Sequence, residues 1–151
     1  MIRLVRDRDV LSSIMTSEVL TVDVNAKVEE ALRVMVKADV GSVVVTENGS
    51  PVGVVTERDV TRSSIRGNQL LSLPVSQLMS KPLQTASPDT EIWRAFETML
   101  KLGVRRLPIM KDDRLVGIVT EKDLTRWVLS VFYEPNVPQE FRSLVRSSKQ
   151  S

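Results

Sequence analysis

Ile92, Ala95, Phe96 and Met99 recur at i, i+3, i+4 and i+7, so a helix through them carries one apolar face, and Gly103 offers the left-handed residue that closes such a helix. Val28, Ala31, Leu32 and Met35 mark a second face of the same kind, with Asp39 in the closing position, a residue that enters the left-handed region more readily than most. Ahead of the later helix, Ser87-Pro88-Asp89-Thr90-Glu91 reads as a start signal: Ser87 as N-cap, Pro88 at the first helical position and acids in the first turn. Each helix is followed by two short β-rich runs. Val43-Val44-Val45 and Val52-Gly53-Val54-Val55 flank Asn48-Gly49, a strong hairpin signal; Leu107 to Met110 and Leu115 to Val119 flank Asp112-Asp113. Thr56 and Thr120 then open further helices, and short runs beginning at Thr21 and Thr85 precede the first ones.

The pattern is therefore written twice. Residues 14–62 and 78–126 align without a gap at an offset of 64 positions, and they end in the matching phrases Val-Gly-Val-Val-Thr-Glu-Arg-Asp-Val-Thr-Arg62 and Val-Gly-Ile-Val-Thr-Glu-Lys-Asp-Leu-Thr-Arg126. A duplicated unit of this length buries its apolar side against its twin, so the pair is the object to explain. The order within each unit is β-α-β-β-α, with Ser63 to Ser76 as connector. The boundaries read from the repeat are 8–66, 70–130 and a tail at 131–151, whose lead-in Trp127 to Tyr133 continues the last helix until Pro135 and Pro138 stop it.

Composition narrows the chemistry. The 151 residues are 42% hydrophobic and 26% charged, the range of one compact domain, here made of two halves too small to bury much surface alone. Neither cysteine nor histidine occurs, which removes disulfides, thiol nucleophiles, the usual zinc ligand sets and the imidazole base. With no nucleophile and base to pair, the sequence reads as a non-enzyme needing no cofactor. No apolar run reaches bilayer-spanning length and Met1 to Val10 lacks a signal-peptide core, so the chain is read as cytoplasmic. The isoelectric point is near 9.1 but the net charge is only +2, and with few aromatics and no long basic run, nucleic acid is the second-ranked partner. The methionines on the helix faces read as core filler, and Trp93 and Trp127 as cover for a dimer contact or for tail packing.

The phrase Gly-h-h-Thr-x-x-Asp, h being apolar, recurs at Gly53 to Asp59 and Gly117 to Asp123. One copy would read as a helix cap. Two copies at the same offset, each with a glycine in the strand, support a ligand role as well. Exposed amides at a helix start attract anions, and an ionised Asp has two acceptor oxygens for the two hydroxyls of a ribose. Cap and ligand site can coexist in the same residues.

With these motifs, the β-α-β-β-α order and the Val104-Arg105-Arg106-Leu107-Pro108-Ile109 strand, the chain resembles a tandem, stand-alone pair of CBS domains, named after cystathionine β-synthase. The resemblance spans residues 8 to 130. It implies a mixed α+β fold with two repeats about a pseudo-twofold axis, and a regulatory module whose clefts hold AMP, ADP or ATP and whose occupancy is relayed to a partner protein. It places ribose contacts on Asp59 and Asp123, assisted by Thr56 and Thr120. Adenine contacts fall on Thr21, Val22 and Asp23 and on Thr85, Ala86 and Ser87, flanked by Val43 and Leu107. Phosphate contacts come from across the axis: Arg105, Arg106 and Lys122 toward the Asp59 cleft, and only Arg58 toward the Asp123 cleft, to which Arg106 can add locally, because Gly41 and Ser42 replace the paired arginines. The Asp59 cleft is then expected to bind phosphorylated adenosines more tightly. Apolar residues beyond one helical stripe, Val34, Val36, Trp93 and Leu100, predict a homodimer.

Overall fold

The computed structural model describes residues 9–81 and 83–130; the terminal readings on Met1 to Arg8 and on residues 131–151 lie outside them. The first half runs β1 (Thr21–Asp23), α1 (Val28–Ala38), β2 (Ser42–Glu47), β3 (Ser50–Thr56) and α2 (Glu57–Ser63). Short 3₁₀ turns in the connector lead to α3 (Ile92–Leu102), β4 (Arg106–Lys111), β5 (Arg114–Thr120) and α4 (Glu121–Val128). In the first half β2 is central, parallel to β1 and antiparallel to β3; in the second, β4 and β5 form a two-stranded antiparallel sheet. Strands β3 and β5 bring the two sheets together.

Local chemistry explains the elements. Both hairpins turn through two residues of positive φ, Asn48-Gly49 (51° and 80°) and Asp112-Asp113 (48° and 60°), the condition for a tight two-residue reversal that matches strand twist. Asp39 (φ 53°) and Gly103 (φ 65°) end α1 and α3 in the left-handed region. The apolar stripes face inward: Val28, Ala31 and Met35 join Val43, Val45 and Val55 in one core, and Ile92, Ala95 and Met99 join Leu107, Ile109 and Val119 in the other.

Two expectations are corrected. The run at Thr85 does not form a strand of its own. Ala86 alone pairs with β4, through its N–H to the Pro108 carbonyl (3.0 Å) and the Met110 N–H to its own carbonyl (2.8 Å). In the first half that ladder extends both ways, from the Val44 N–H to Leu20 and the Val24 N–H to Thr46. The aligned donors are Pro108 and Pro88, which have no N–H, so the second ladder is cut at both ends. Nor is Ser87 the N-cap of α3. It closes a turn with Thr90, its N–H donating to the Thr90 hydroxyl at 3.1 Å, and the helix starts at Ile92 after Glu91.

The cause of that late start is an exchange between the halves. The opening segment of the first repeat packs on the second half: Leu11 N–H donates to Thr90 and Ile92 N–H to Asp9, so backbone takes the place of a side-chain cap. The opening segment of the second repeat does the same to the first half, with Val28 N–H donating to Leu73 and Val75 N–H to Ala26. Leu11 and Val75, aligned in the repeat, are each fully buried in the other half's core. Thr16 then bridges Ile118 of β5, and Ser80 bridges Val54 of β3. The motif glycines make the exchange possible: a Cβ on Gly53 would lie 2.7 Å from the Met79 sulfur, and one on Gly117 2.5 Å from the Met15 sulfur.

Candidate functional site

The two repeated motifs end their strands in the same way. Thr56 N–H and Oγ1–H both donate to Asp59 Oδ2 (2.8 and 3.0 Å), while Asp59 N–H donates back to Thr56 Oγ1 at 3.2 Å. Thr120 and Asp123 repeat this at 2.8, 3.0 and 3.3 Å. These are reciprocal caps, and each uses one carboxylate oxygen. What each Asp can do beyond capping depends on its other oxygen, Oδ1.

Beside Asp59 a cleft of about 330 Å³ opens between the halves. The first half contributes Thr56, Glu57, Arg58, Asp59 and Arg62; the second contributes Arg105, Arg106 and Pro108. The connector adds Ser80, Leu83 and Gln84, and the end of α3 adds Gly103 and Val104. Arg106 enters at the first position of β4 and is largely sheltered, its Nε without a hydrogen-bond partner. Burial lowers the proton affinity of this guanidinium, the Asp59 carboxylate acts in the opposite direction, and Arg105 adds to the lowering. Asp59 Oδ1 has no hydrogen bond among the described residues. The cleft thus holds an unfilled acceptor and an unfilled donor, and Leu83, Val104 and Pro108 add apolar groups to its lining.

The surroundings of Asp123 differ. Its Oδ1 lies 3.7 Å from Arg126 Nη1, one turn along α4, and both side chains are mostly covered (23% and 17% exposed). The aligned pair in the first half, Asp59 and Arg62, makes no such contact, and Arg62 instead lines the cleft.

The structure brings Thr56, Asp59, Arg58, Arg105 and Arg106 to one cleft. Arg58 lies in the cleft of its own Asp59. Lys122 is exposed and is not part of this lining, whereas Arg105 lines the cleft and also lies 3.8 Å from Glu121. Val22, Val43 and Leu107 are buried in the two cores, and Ala86 packs against the second. Thr21, Thr85 and Ser87 are exposed outside the lining, and Asp23 accepts from the Asn25 N–H at 2.8 Å to shape the turn into α1. Sequence reasoning overlooked Leu83, Gln84, Val104 and Pro108. Their signal was available in part, since Gln84 directly precedes Thr85, and Pro108 and Leu107 adjoin Arg106.

Two repeats exchange their opening segments and share a charged cleft. The chain belongs to the CBS domain family, whose model matches residues 6–66 and 75–130. It is 37% identical over 123 residues, 80% of this chain and 74% of the other, to an uncharacterized 17.7 kDa protein of Acidianus ambivalens. It is 36% identical over 110 residues, 73% of this chain and 79% of the other, to the CBS domain-containing protein YhcV of Bacillus subtilis. Among solved structures, an uncharacterized conserved protein of Pyrococcus horikoshii superposes with a TM-score of 0.71 at 30% identity, covering 80% of this chain and 92% of that one. The CBS domain pair of protein MJ0100, crystallised with 5′-methylthioadenosine and S-adenosyl-L-methionine, shares the fold at a TM-score of 0.72 and 23% identity, over 80% and 96% of the two chains. No helix among the described residues is long and apolar enough to cross a membrane.

Proposed function

We propose that this CBS pair is a regulatory module that takes an adenosine phosphate, AMP, ADP or ATP, in the Asp59 cleft and relays occupancy to a partner protein. The observation that carries the reading is the charge of that cleft: Arg58, Arg62, Arg105 and Arg106 against Glu57 and Asp59, a cationic excess gathered from both halves. Guanidinium groups bind phosphate through forked, charge-assisted bonds. Asp59 Oδ1 is the acceptor left for a ribose hydroxyl, and Leu83, Val104 and Pro108 supply apolar surface for a purine ring. The adenine contacts implied for Thr85 and Leu107 lie one residue from this lining. MJ0100 supports the adenosine class, while four arginines favour a phosphate over the cationic sulfonium of S-adenosyl-L-methionine. Exposed Val36 and Leu100, aligned on α1 and α3, suit cover by a second copy of the chain.

Because a ligand that binds only the native state raises its stability, thermal melts and calorimetry with AMP, ADP, ATP, NADH, S-adenosylmethionine and GMP test the reading. Adenine phosphates should give the largest shifts. Equal shifts with every nucleotide, or none with any adenosine compound, would remove the adenosine reading and favour nucleic acid, whose binding would fall steeply with salt.

A further inference from the structure

The two halves carry the same Gly-h-h-Thr-x-x-Asp phrase, the same reciprocal cap and the same following arginine, yet their carboxylates differ in state. At Asp59 the outer oxygen is open, Arg106 of the opposite half stands in the same cleft with a sheltered, unpartnered Nε, and Arg62 is turned into the cleft. At Asp123 the outer oxygen is ion-paired with Arg126 at 3.7 Å, both groups mostly covered. The reason can be traced to two pairs of aligned positions. Arg106 corresponds to Ser42, and Arg105 to Gly41, so the two arginines that open β4 have no counterparts in β2, and among the described residues the one ion pair at Asp123 comes from Arg126. A sheltered carboxylate without an opposing charge is costly, and the nearest cation on its own helix compensates it. Where Arg106 supplies the opposing charge, the i+3 arginine is released to line the cleft.

We infer that the pair has one working cleft and not two: Asp59 is the ligand-facing carboxylate, and Asp123 is a structural clamp closed by its own Arg126. The identity at position 106 against position 42 decides which motif is open. The inference takes its probe from the adenosine reading above, and goes beyond it in fixing the number of sites and assigning Asp123 a different task.

Glutamine at the third position of a capping box preserves the cap while removing the negative charge, so Asp59→Gln and Asp123→Gln separate ligand contact from helix stability. Calorimetry with AMP on the full chain should give one AMP per chain. Asp59→Gln should weaken binding at least tenfold, whereas Asp123→Gln should leave both the stoichiometry and the affinity within fivefold of the parent, with thermal melts confirming that each variant is folded. Two AMP per chain in the parent, or a loss beyond fivefold in Asp123→Gln, would overturn the single-cleft inference while leaving the adenosine reading intact; unchanged binding in Asp59→Gln would overturn the inference together with the ribose contact assigned to Asp59. An absence of AMP binding to the parent at millimolar concentration would overturn the AMP assignment itself, and this inference with it.

Discussion

The two halves of this protein follow the same sequence plan and differ at the position that matters for a ligand. Thr56-x-x-Asp59 and Thr120-x-x-Asp123 form the same cap with distances equal to within 0.1 Å, yet one opens on a cleft shared with the other half and the second is neutralised from within its own helix. Strand pairing is unequal too, with β1 paired over three residues in the first half and a single bridge at Ala86 in the second. The lesson is that repeated sequence preserves caps, turns and cores, which are local or internal. The cleft is made between the halves, so a change in one repeat, Ser to Arg, alters the site headed by the other.

The symmetric part of this comparison can be broken at the exchanged segments. Leu11 is fully buried in the second half's core although it belongs to the opening segment of the first repeat. Leu11→Ala should cost about 2–5 kcal/mol, the range for truncating a core leucine. Chemical denaturation should show the whole described domain unfolding in one transition; a loss below about 1 kcal/mol would mean that the lead segment is not part of that core.

The asymmetric part is sharpened at Arg106. Arg106→Gln should weaken AMP by tenfold or more, about 1.4 kcal/mol, while adenosine, which has no phosphate, should change less than threefold. Calorimetric titrations of the two ligands side by side read this difference, and an equal loss for both would place Arg106 outside the phosphate contacts.

A smaller effect is expected from restoring the missing donor in the second ladder. Pro108→Val supplies an N–H aligned with that of Val44, which donates to Leu20, so the new amide should bond to Gln84 and be protected from hydrogen exchange. The new bond and the regained flexibility of the unfolded chain act in opposite directions, each by roughly 0.5–1.5 kcal/mol, so net stability should change by less than about 1 kcal/mol. A fast-exchanging amide at 108 would show that the prolines are not what shortens the pairing.

Much of this architecture was legible in the sequence because it depends on neighbours in the chain. The i, i+3, i+4, i+7 stripes, the Asn48-Gly49 reversal, the left-handed Asp39 and Gly103 and both Thr-x-x-Asp caps are local matters. Ser87-Pro88 misled because a good helix start was overruled by backbone arriving from residues 9–12, some 80 positions away, which no local propensity encodes. The glycine in each motif strand supported a ligand role; Gly53 and Gly117 instead give close room to the opening segments, through Met79 and Met15 and, at Gly117, the Thr16 backbone. For the cleft, alignment of Arg105 and Arg106 against Gly41 and Ser42 pointed to an inequality, but the switch of Arg126 onto Asp123 needed three-dimensional distances.

The methionine seated on each glycine has a historical consequence. A solitary ancestral repeat would find its glycine groove filled only by the opening segment of another chain, so it would have been obliged to live as an exchanged homodimer with two identical clefts. Fusion of the gene copies turned that encounter between molecules into an intramolecular one, with a high effective concentration guaranteed by the connector. It also lifted a constraint that no homodimer can escape: in a dimer every arginine gained on one side appears on both. Once the copies shared a single chain, Arg106 could be present without a matching arginine at 42, and one groove could specialise while its twin became scaffold.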